Sequence, residues 1–290
     1  MRNAVVTRRH GDKVTLQISK LVRGDWWRIF VLAVICMLTL VPLIMAFFIS
    51  LKTIPQFARD PFILTFPLHW ENYSLAWVIV RRFMLNSVIV SGVTVIGVLT
   101  LASLSAYAFA ILDFPGRKFL FYLVLALLMV PSALTLIPSF VLIKDLGLIN
   151  TYWAMILPWI AGGQIFAIFM LRTFFEGLPH ELFDAARMDG ASEWQGYWRI
   201  ALPLSKSILG VAAILDVLGT WNNLIWPALT VTEQNLLTLT PGLMTYQSAY
   251  YTRYGFMMAG LLLGSIPLVI LFFFTSRWFV DGLTSGAIKM

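Results

Sequence analysis

The chain has 290 residues, of which 59% are hydrophobic and only 12% charged, and its mean hydropathy is +0.83. Soluble domains carry about 45–50% apolar and about 25% charged residues, so this chain lacks the charge to coat a water-facing surface. A soluble enzyme, a disordered tail and a secreted disulfide domain are excluded, which leaves a multi-pass membrane protein. The single cysteine, Cys36, lies inside an apolar run, can form no internal disulfide, and reads as a small packed side chain.

In chain order, the charge-free stretches are Ile29–Leu51, Phe83–Leu112, Phe119–Ile143, Leu146–Leu171 and Tyr254–Ser276, of 23, 30, 25, 26 and 23 residues. Ser207–Thr232, 26 residues long, contains one acid, Asp216. A helix needs roughly 20 residues to cross a hydrocarbon core of about 30 Å. Barrel strands would alternate polar and apolar residues, which these runs do not. Helices satisfy their own backbone in lipid, so the fold class is all-α with six transmembrane helices. The first run follows 28 residues of charged sequence and exceeds a secretory apolar core of about 7–15 residues, so it reads as a retained span. Residues 1–28 form an N-terminal arm, in which Leu16, Ile18, Leu21, Val22, Trp26 and Trp27 suit an amphipathic elbow at the interface. Residues 29–290 form one membrane domain.

Placing both termini in the cytoplasm puts fifteen Lys and Arg inside against six outside, the asymmetry expected of inner loops. The net charge of +7 then reflects topology and contact with anionic lipid. No water-exposed segment interleaves aromatic and basic residues as a nucleic-acid platform would. Between spans two and three, Pro115-Gly116 marks a tight turn. The external segment 233–253 is polar, with Tyr246, Tyr250, Tyr251 and Tyr254 in or beside it. Within the spans, Gly162-Gly163-Gln164 is expected to interrupt span four. Pro131 and Pro138 are expected to kink span three, and Gly260 and Gly264 to admit a close helix neighbour.

The inner segment 176–206 is the most charged stretch after the arm. Pro179 is placed to open a helix, with Glu181 and Asp184 at the positive end of its dipole. Leu182, Ala185, Ala186 and Asp189 share one face, Gly190 suits a left-handed terminus, and Ser192-Glu-Trp-Gln195 fits a capping box that starts a second helix. Leu202-Pro203 is expected to end it. This is a helix–turn–helix between spans four and five, a connector resting on lipid or a docking element for a partner.

The same segment resembles the EAA loop of ABC-importer permeases, as Asp184-Ala185-Ala186, Asp189-Gly190-Ala191 and Ile200-Ala201-Leu202-Pro203, with Asp184 standing where the family pattern has Glu. Asn86-Ser87, Ser105-Ala-Tyr-Ala-Phe109, Phe114-Pro-Gly-Arg117, Leu146-Gly-Leu-Ile-Asn-Thr-Tyr152, Trp221-Asn222 with Trp226-Pro227, and the C-terminal segment 277–286 are similar to the MalG-like membrane subunits of carbohydrate importers. The resemblance implies a type I ABC importer permease fold in a bacterial or archaeal inner membrane, with the 176–206 loop as coupling helix. Its implied partners are a second, MalF-like permease, a homodimeric ATP-binding subunit and an extracytoplasmic solute-binding protein. The implied contacts to the ATPase are Glu181, Asp184, Ala185, Ala186, Asp189, Gly190 and Ala191, with Ser285 and Gly286 at the C-terminus.

The chain itself is not expected to be an enzyme or to bind a cofactor or metal; ATP and Mg would sit on the partner. None of its 19 glycines precedes a lysine, so it has no phosphate-cradling Gly-Lys loop. A lone acid within a span is costly, about 2.5–3.5 kcal/mol on insertion scales, so Asp216 should face the bundle interior, a cavity or the ATPase-proximal end. Asp216, Trp221, Asn222, Asn223, Ser132 and Thr135 are the expected substrate-path residues. An ion-coupled secondary transporter is the alternative, but only Asp216 offers the intramembrane charge it would want. A membrane-embedded enzyme would want clustered His, Asp or Cys, whereas His10, His69 and His180 are scattered.

Overall fold

A computed structural model describes residues 26–249 and 253–285. All its regular elements in this region are helical. They are α1 (Trp26–Ser50), α2 (Ile54–Arg59), α3 (Glu71–Ile111), α4 (Arg117–Leu127), α5 (Ser132–Asp145), α6 (Trp153–Glu176), α7 (Glu181–Met188), α8 (Glu193–Gly196), a π-helical turn (Tyr197–Ala201), α9 (Leu202–Leu204), α10 (Lys206–Trp221), α11 (Ile225–Thr230), a 3-10 turn (Gln234–Leu236), α12 (Leu239–Ala249) and α13 (Tyr254–Ser285). The helices α1, α3, α6 and α13 are each long and apolar enough to cross a membrane. Two bent pairs, α4 with α5 and 193–204 with α10, bring the number to as many as six among the described residues.

The 41-residue α3 is the central element, packing along α6 and against α13, α10 and α12. At 1.5 Å per residue it runs about 60 Å, well beyond the expected span 83–112. Its buried stripe steps by three or four residues through Ala76, Val80, Phe83, Ser87, Val90, Thr94, Val98, Ala102, Ala106 and Ala110. Small side chains on that stripe let the neighbouring backbones approach. Two apolar clusters sit at opposite ends of α3. One joins Ala102, Ala106 and Tyr107 to Leu171, Phe175, Phe183, Tyr197 and Ala201. The other joins Val80, Phe83 and Val90 to Met155, Trp221, Trp226 and Leu239.

Turns close where their residues allow it. Gly116 adopts φ +81° before α4, and Arg117 Nη1 donates to the Leu112 carbonyl at 2.7 Å and Asp113 Oδ1 at 2.9 Å, so the tight turn at Pro115-Gly116 forms as expected. The Leu146–Tyr152 motif folds as a hub. Gly147, at φ +69°, ends α5 with Leu148 N donating to the Ile143 carbonyl. Asn150, itself left-handed at φ 60°, accepts at Oδ1 from the backbone N–H of Thr232 and Glu233. Tyr152 donates to Asn86 Oδ1 at 2.8 Å, while Asn86 Nδ2 donates to the carbonyls of Asn235 and Leu237.

Several expectations are corrected. Span three is not one kinked helix: α4 and α5 meet at 94° across residues 128–131. Pro131 caps α5 with extended backbone, where its missing N–H costs nothing, and only Pro138 lies inside a helix. Span four is unbroken at Gly162-Gly163, because glycine's cost in a helix, about 1 kcal/mol, is small beside the packing of a 24-residue helix. The segment 233–253 is no polar loop: Leu237, Leu239, Leu243 and Tyr246 are buried, and Tyr246 donates to the Phe256 carbonyl. Tyr250 and Tyr251 lie outside the described residues; Tyr254 stacks on Phe57. Gly260 and Gly264 do serve close approach within the chain, against Tyr246 and Val80 and against Leu239 and Leu243. Cys36 is exposed on α1 rather than packed. The proposed elbow falls outside the described residues except for Trp26 and Trp27, which open α1.

Candidate functional site

The first candidate region is the segment from Pro179 to Ser205. Glu181 and Asp184 occupy the first turn of α7, and Arg187 its last, so both ends complement the helix dipole. Gly190 adopts φ +82°, and the chain closes with Ala191 N donating to the Ala186 carbonyl at 2.9 Å and Gly190 N to the Arg187 carbonyl at 3.0 Å. This pair of bonds is a Schellman ending. The capping box forms too: Ser192 N donates to Gln195 Oε1 and Gln195 N to Ser192 Oγ. Pro203, however, does not end the helix. The wider π turn over 197–201 relaxes the crowding that a proline ring makes with the carbonyl four residues earlier, and the helix continues through Leu204.

The α7 side chains divide sharply. Phe183 is 2% exposed and packs against Tyr107 of α3, with ring centroids 6.1 Å apart. Leu182, Asp184, Ala185, Met188 and Asp189 are exposed, as are Glu181 and Gly190; Ala186 and Ala191 are half-buried. Thus the face carrying the acidic and alanine positions stays open while the opposite side anchors the segment. The anchor contains residues that sequence patterning did not single out. Arg187 reaches Asp184 Oδ1 at 3.1 Å and Glu193 Oε1 at 2.9 Å, and the Tyr107 hydroxyl donates to Glu193 Oε2 at 3.1 Å. Tyr197 crosses Tyr107 edge-on, and its hydroxyl lies 2.8 Å from Ser103 Oγ. A Cβ on Gly196 would lie 2.8 Å from the Tyr107 hydroxyl, so glycine there lets α8 seat on α3. The Ser-Ala-Tyr-Ala-Phe motif contained the signal, but not the partner of its tyrosine.

The second region is a cavity of about 1030 Å³ lined by α5, α6, α10 and α11, with Val98 of α3 among the lining residues. It gathers Asp216, Asn222, Asn223, Ser132 and Thr135 from the expected path, together with Ser139, Trp159, Phe166 and Trp226. Trp221 is not on this wall but in the buried cluster beside α3; Trp226 belongs to the same cluster and only edges the cavity, whose aromatic lining comes mainly from Trp159 and Phe166. Trp226 Nε1 donates to the Ala154 carbonyl and Asn223 Oδ1 accepts from Trp226 N, which fixes this corner. Thr220 donates to Ser91 Oγ at 2.9 Å, tying the Asp216 helix to α3. Gly163 opens a recess for Asp216: a Cβ there would lie 2.7 Å from Asp216 Oδ1. Ser285 is the last residue of α13, and Gly286 lies outside the described residues. Among the described residues no group of three His, Cys, Asp or Glu side chains is arranged to hold a metal ion.

Residues 99–285 match the family described as "Binding-protein-dependent transport system inner membrane component". The arabinooligosaccharides transport system permease protein AraQ of Halalkalibacterium halodurans is 43% identical over 204 residues, covering 70% of this chain and 72% of that protein. The diacetylchitobiose uptake system permease protein NgcG of Streptomyces coelicolor is 32% identical, covering 87% of this chain and 85% of its own length. Among solved structures, a bacterial ABC transporter involved in import of the acidic polysaccharide alginate superposes with a TM-score of 0.76 over 96% of this chain and 100% of its own, at 19% identity. The all-α polytopic architecture is therefore that of an ABC importer permease, and the chain belongs to the family of binding-protein-dependent transport system inner membrane components.

Proposed function

We propose that this chain is one membrane-spanning subunit of an ATP-driven importer that moves a carbohydrate into the cytoplasm by alternating access. One observation carries the reading: the 179–205 segment clamps onto the end of α3 through Phe183, Tyr107 and Glu193 while presenting Glu181, Asp184, Ala185 and Asp189 outward. An element held rigidly on one side and open on the other is suited to receive another protein and pass its motion to the helices. In this reading a separate homodimeric ATPase, carrying ATP and Mg, seats on that face, with Ala186, Gly190 and Ala191 allowing close approach. Ser285 and Gly286 are further proposed contacts with the same partner.

A second, homologous permease completes the cavity, and an extracytoplasmic binding protein delivers the sugar. The Lys and Arg asymmetry supports a cytoplasmic α7 end and two cytoplasmic termini. Nearly all the outward side chains of α1, such as Leu32, Met37 and Leu38, are exposed and apolar, as contact with lipid or a membrane partner requires.

Purification tests the proposal. The tagged chain should copurify with a second membrane chain and two ATPase copies, hydrolysis should rise when sugar-loaded binding protein is added, and a photocrosslinker at Ala185 should capture the ATPase. A crosslinker that reacts with lipid alone in the assembled complex overturns it.

A further inference from the structure

Within that importer reading, we infer that Asp216 makes this wall of the cavity selective for neutral, hydroxyl-rich carbohydrates over anionic ones. Three observations combine. Asp216 is the sole ionisable side chain among the described residues that line the cavity; α5 contributes hydroxyls, α6 aromatic and glycine positions, and α10–α11 amides and indole. No lysine, arginine or histidine stands among them to neutralise a phosphate or a uronate.

The second observation is that the fold makes room for this carboxyl. Gly163 of α6 leaves the recess into which Oδ1 fits, and Val98 Cγ2 would lie 3.1 Å from a Cβ at the same glycine. The third is that Oδ2 is buried with no hydrogen-bond partner among the described residues. A buried carboxyl oxygen without a donor is costly, and no cation on this wall offsets the charge it carries.

Sugar hydroxyls donate as well as accept, whereas ionised phosphate and carboxylate groups only accept. A neutral sugar therefore finds acceptors on this wall and meets no repulsion, whereas an anion meets the like charge of Asp216 in surroundings where repulsion is stronger than in water. Trp159 and Phe166 add apolar surface suited to the flat sides of sugar rings.

The test uses the complete importer (both permeases, the ATPase and the binding protein) reconstituted in proteoliposomes. Initial uptake is measured for neutral probes, arabinotriose and a neutral hexose disaccharide, and for anionic probes, a uronate trisaccharide and glycerol 3-phosphate. The wild-type importer should carry a neutral probe at least tenfold faster than either anion. Asp216→Asn should raise anionic uptake relative to neutral uptake and narrow the neutral-to-anionic ratio about threefold or more. The binding protein is the same in both assays, so a changed ratio belongs to the cavity. If Asp216→Asn fails to copurify with its partners, Asp216→Ser replaces it, with the same expected direction. An anionic probe carried as fast as any neutral one, or an unchanged ratio in the variant, overturns the inference while leaving the importer reading intact. If no probe is carried and no loaded binding protein stimulates hydrolysis, the importer reading fails and takes the inference with it.

Discussion

The Tyr107 hydroxyl, near the end of α3, donates to Glu193 Oε2 across 3.1 Å, and Glu193 in turn holds Arg187 of α7. This bond joins the longest helix of the bundle to the outward-facing segment. Tyr107→Phe keeps the ring against Phe183 and Tyr197 and removes only the hydroxyl. A hydrogen bond to a charged group contributes about 1.5–3 kcal/mol, so the variant should fold and assemble with slightly lowered thermal stability. Its ATP hydrolysed per sugar imported should rise. A ratio equal to wild type means that the bond plays no part in transmitting motion.

Gly190 carries the turn at φ +82°, where a side chain costs about 1–2 kcal/mol of backbone strain. No atom beyond the chain neighbours lies within 4 Å of a Cβ built there, so the penalty is conformational rather than steric. Gly190→Val should insert and assemble yet lose sugar-stimulated hydrolysis and uptake. Gly190→Asn, which tolerates left-handed backbone, should retain most of both. Normal uptake by Gly190→Val in a stable complex excludes the turn geometry as a requirement.

Asp184 pairs with Arg187 at an exposed position, and such surface pairs contribute about 0–1 kcal/mol. Asp184→Ala should therefore leave the melting temperature of the isolated subunit almost unmoved. Any weakening of ATPase association, read by the fraction retained on an affinity column, then reports a lost contact with the partner. A fully retained ATPase assigns Asp184 to the local ion pair alone.

Asn150 combines a left-handed backbone with bonds to the N–H groups of Thr232 and Glu233. Asn150→Ala loses both and should cost about 2–3 kcal/mol, from about 1–2 of strain and about 1 from hydrogen bonding. Asn150→Gly relieves the strain but not the lost bonds, so its unfolding midpoint should lie between the alanine variant and wild type. If the glycine variant is no more stable than alanine, the backbone conformation is not what the asparagine supplies.

The sequence was most informative where one residue type has one physical use. Gly190, the Ser192–Gln195 capping box and Pro115-Gly116 each stand where local chemistry placed them, because positive φ and orphan N–H groups admit few solutions. It was least informative where tertiary packing decides. Hydropathy alone could not separate a straight span from α4 and α5 folded at 94°, since both read as one apolar run. The segment 233–253 looked polar because its threonines and tyrosines make buried hydrogen bonds that composition does not reveal, among them Tyr246 to Phe256. Five of the six expected path residues gather at one cavity. Trp221 does not, because helical spacing fixes a residue's face but not which neighbour covers it. Glu193 escaped notice for a similar reason: its partner Tyr107 lies 86 positions away in the chain.

The π turn at Tyr197–Ala201 has a mechanical corollary. It carries the chain past Pro203 to Ser205, whose buried hydroxyl bonds the Ala201 carbonyl, and there the helix axis swings by 76° into α10. Under the proposed coupling, a displacement applied to α7 would reach α3 through the Tyr107 bond but α10 only around this bell-crank corner, broadside to the rod that bears Asp216. Under the same coupling, a single stroke would therefore drive α3 and the Asp216 helix along different directions.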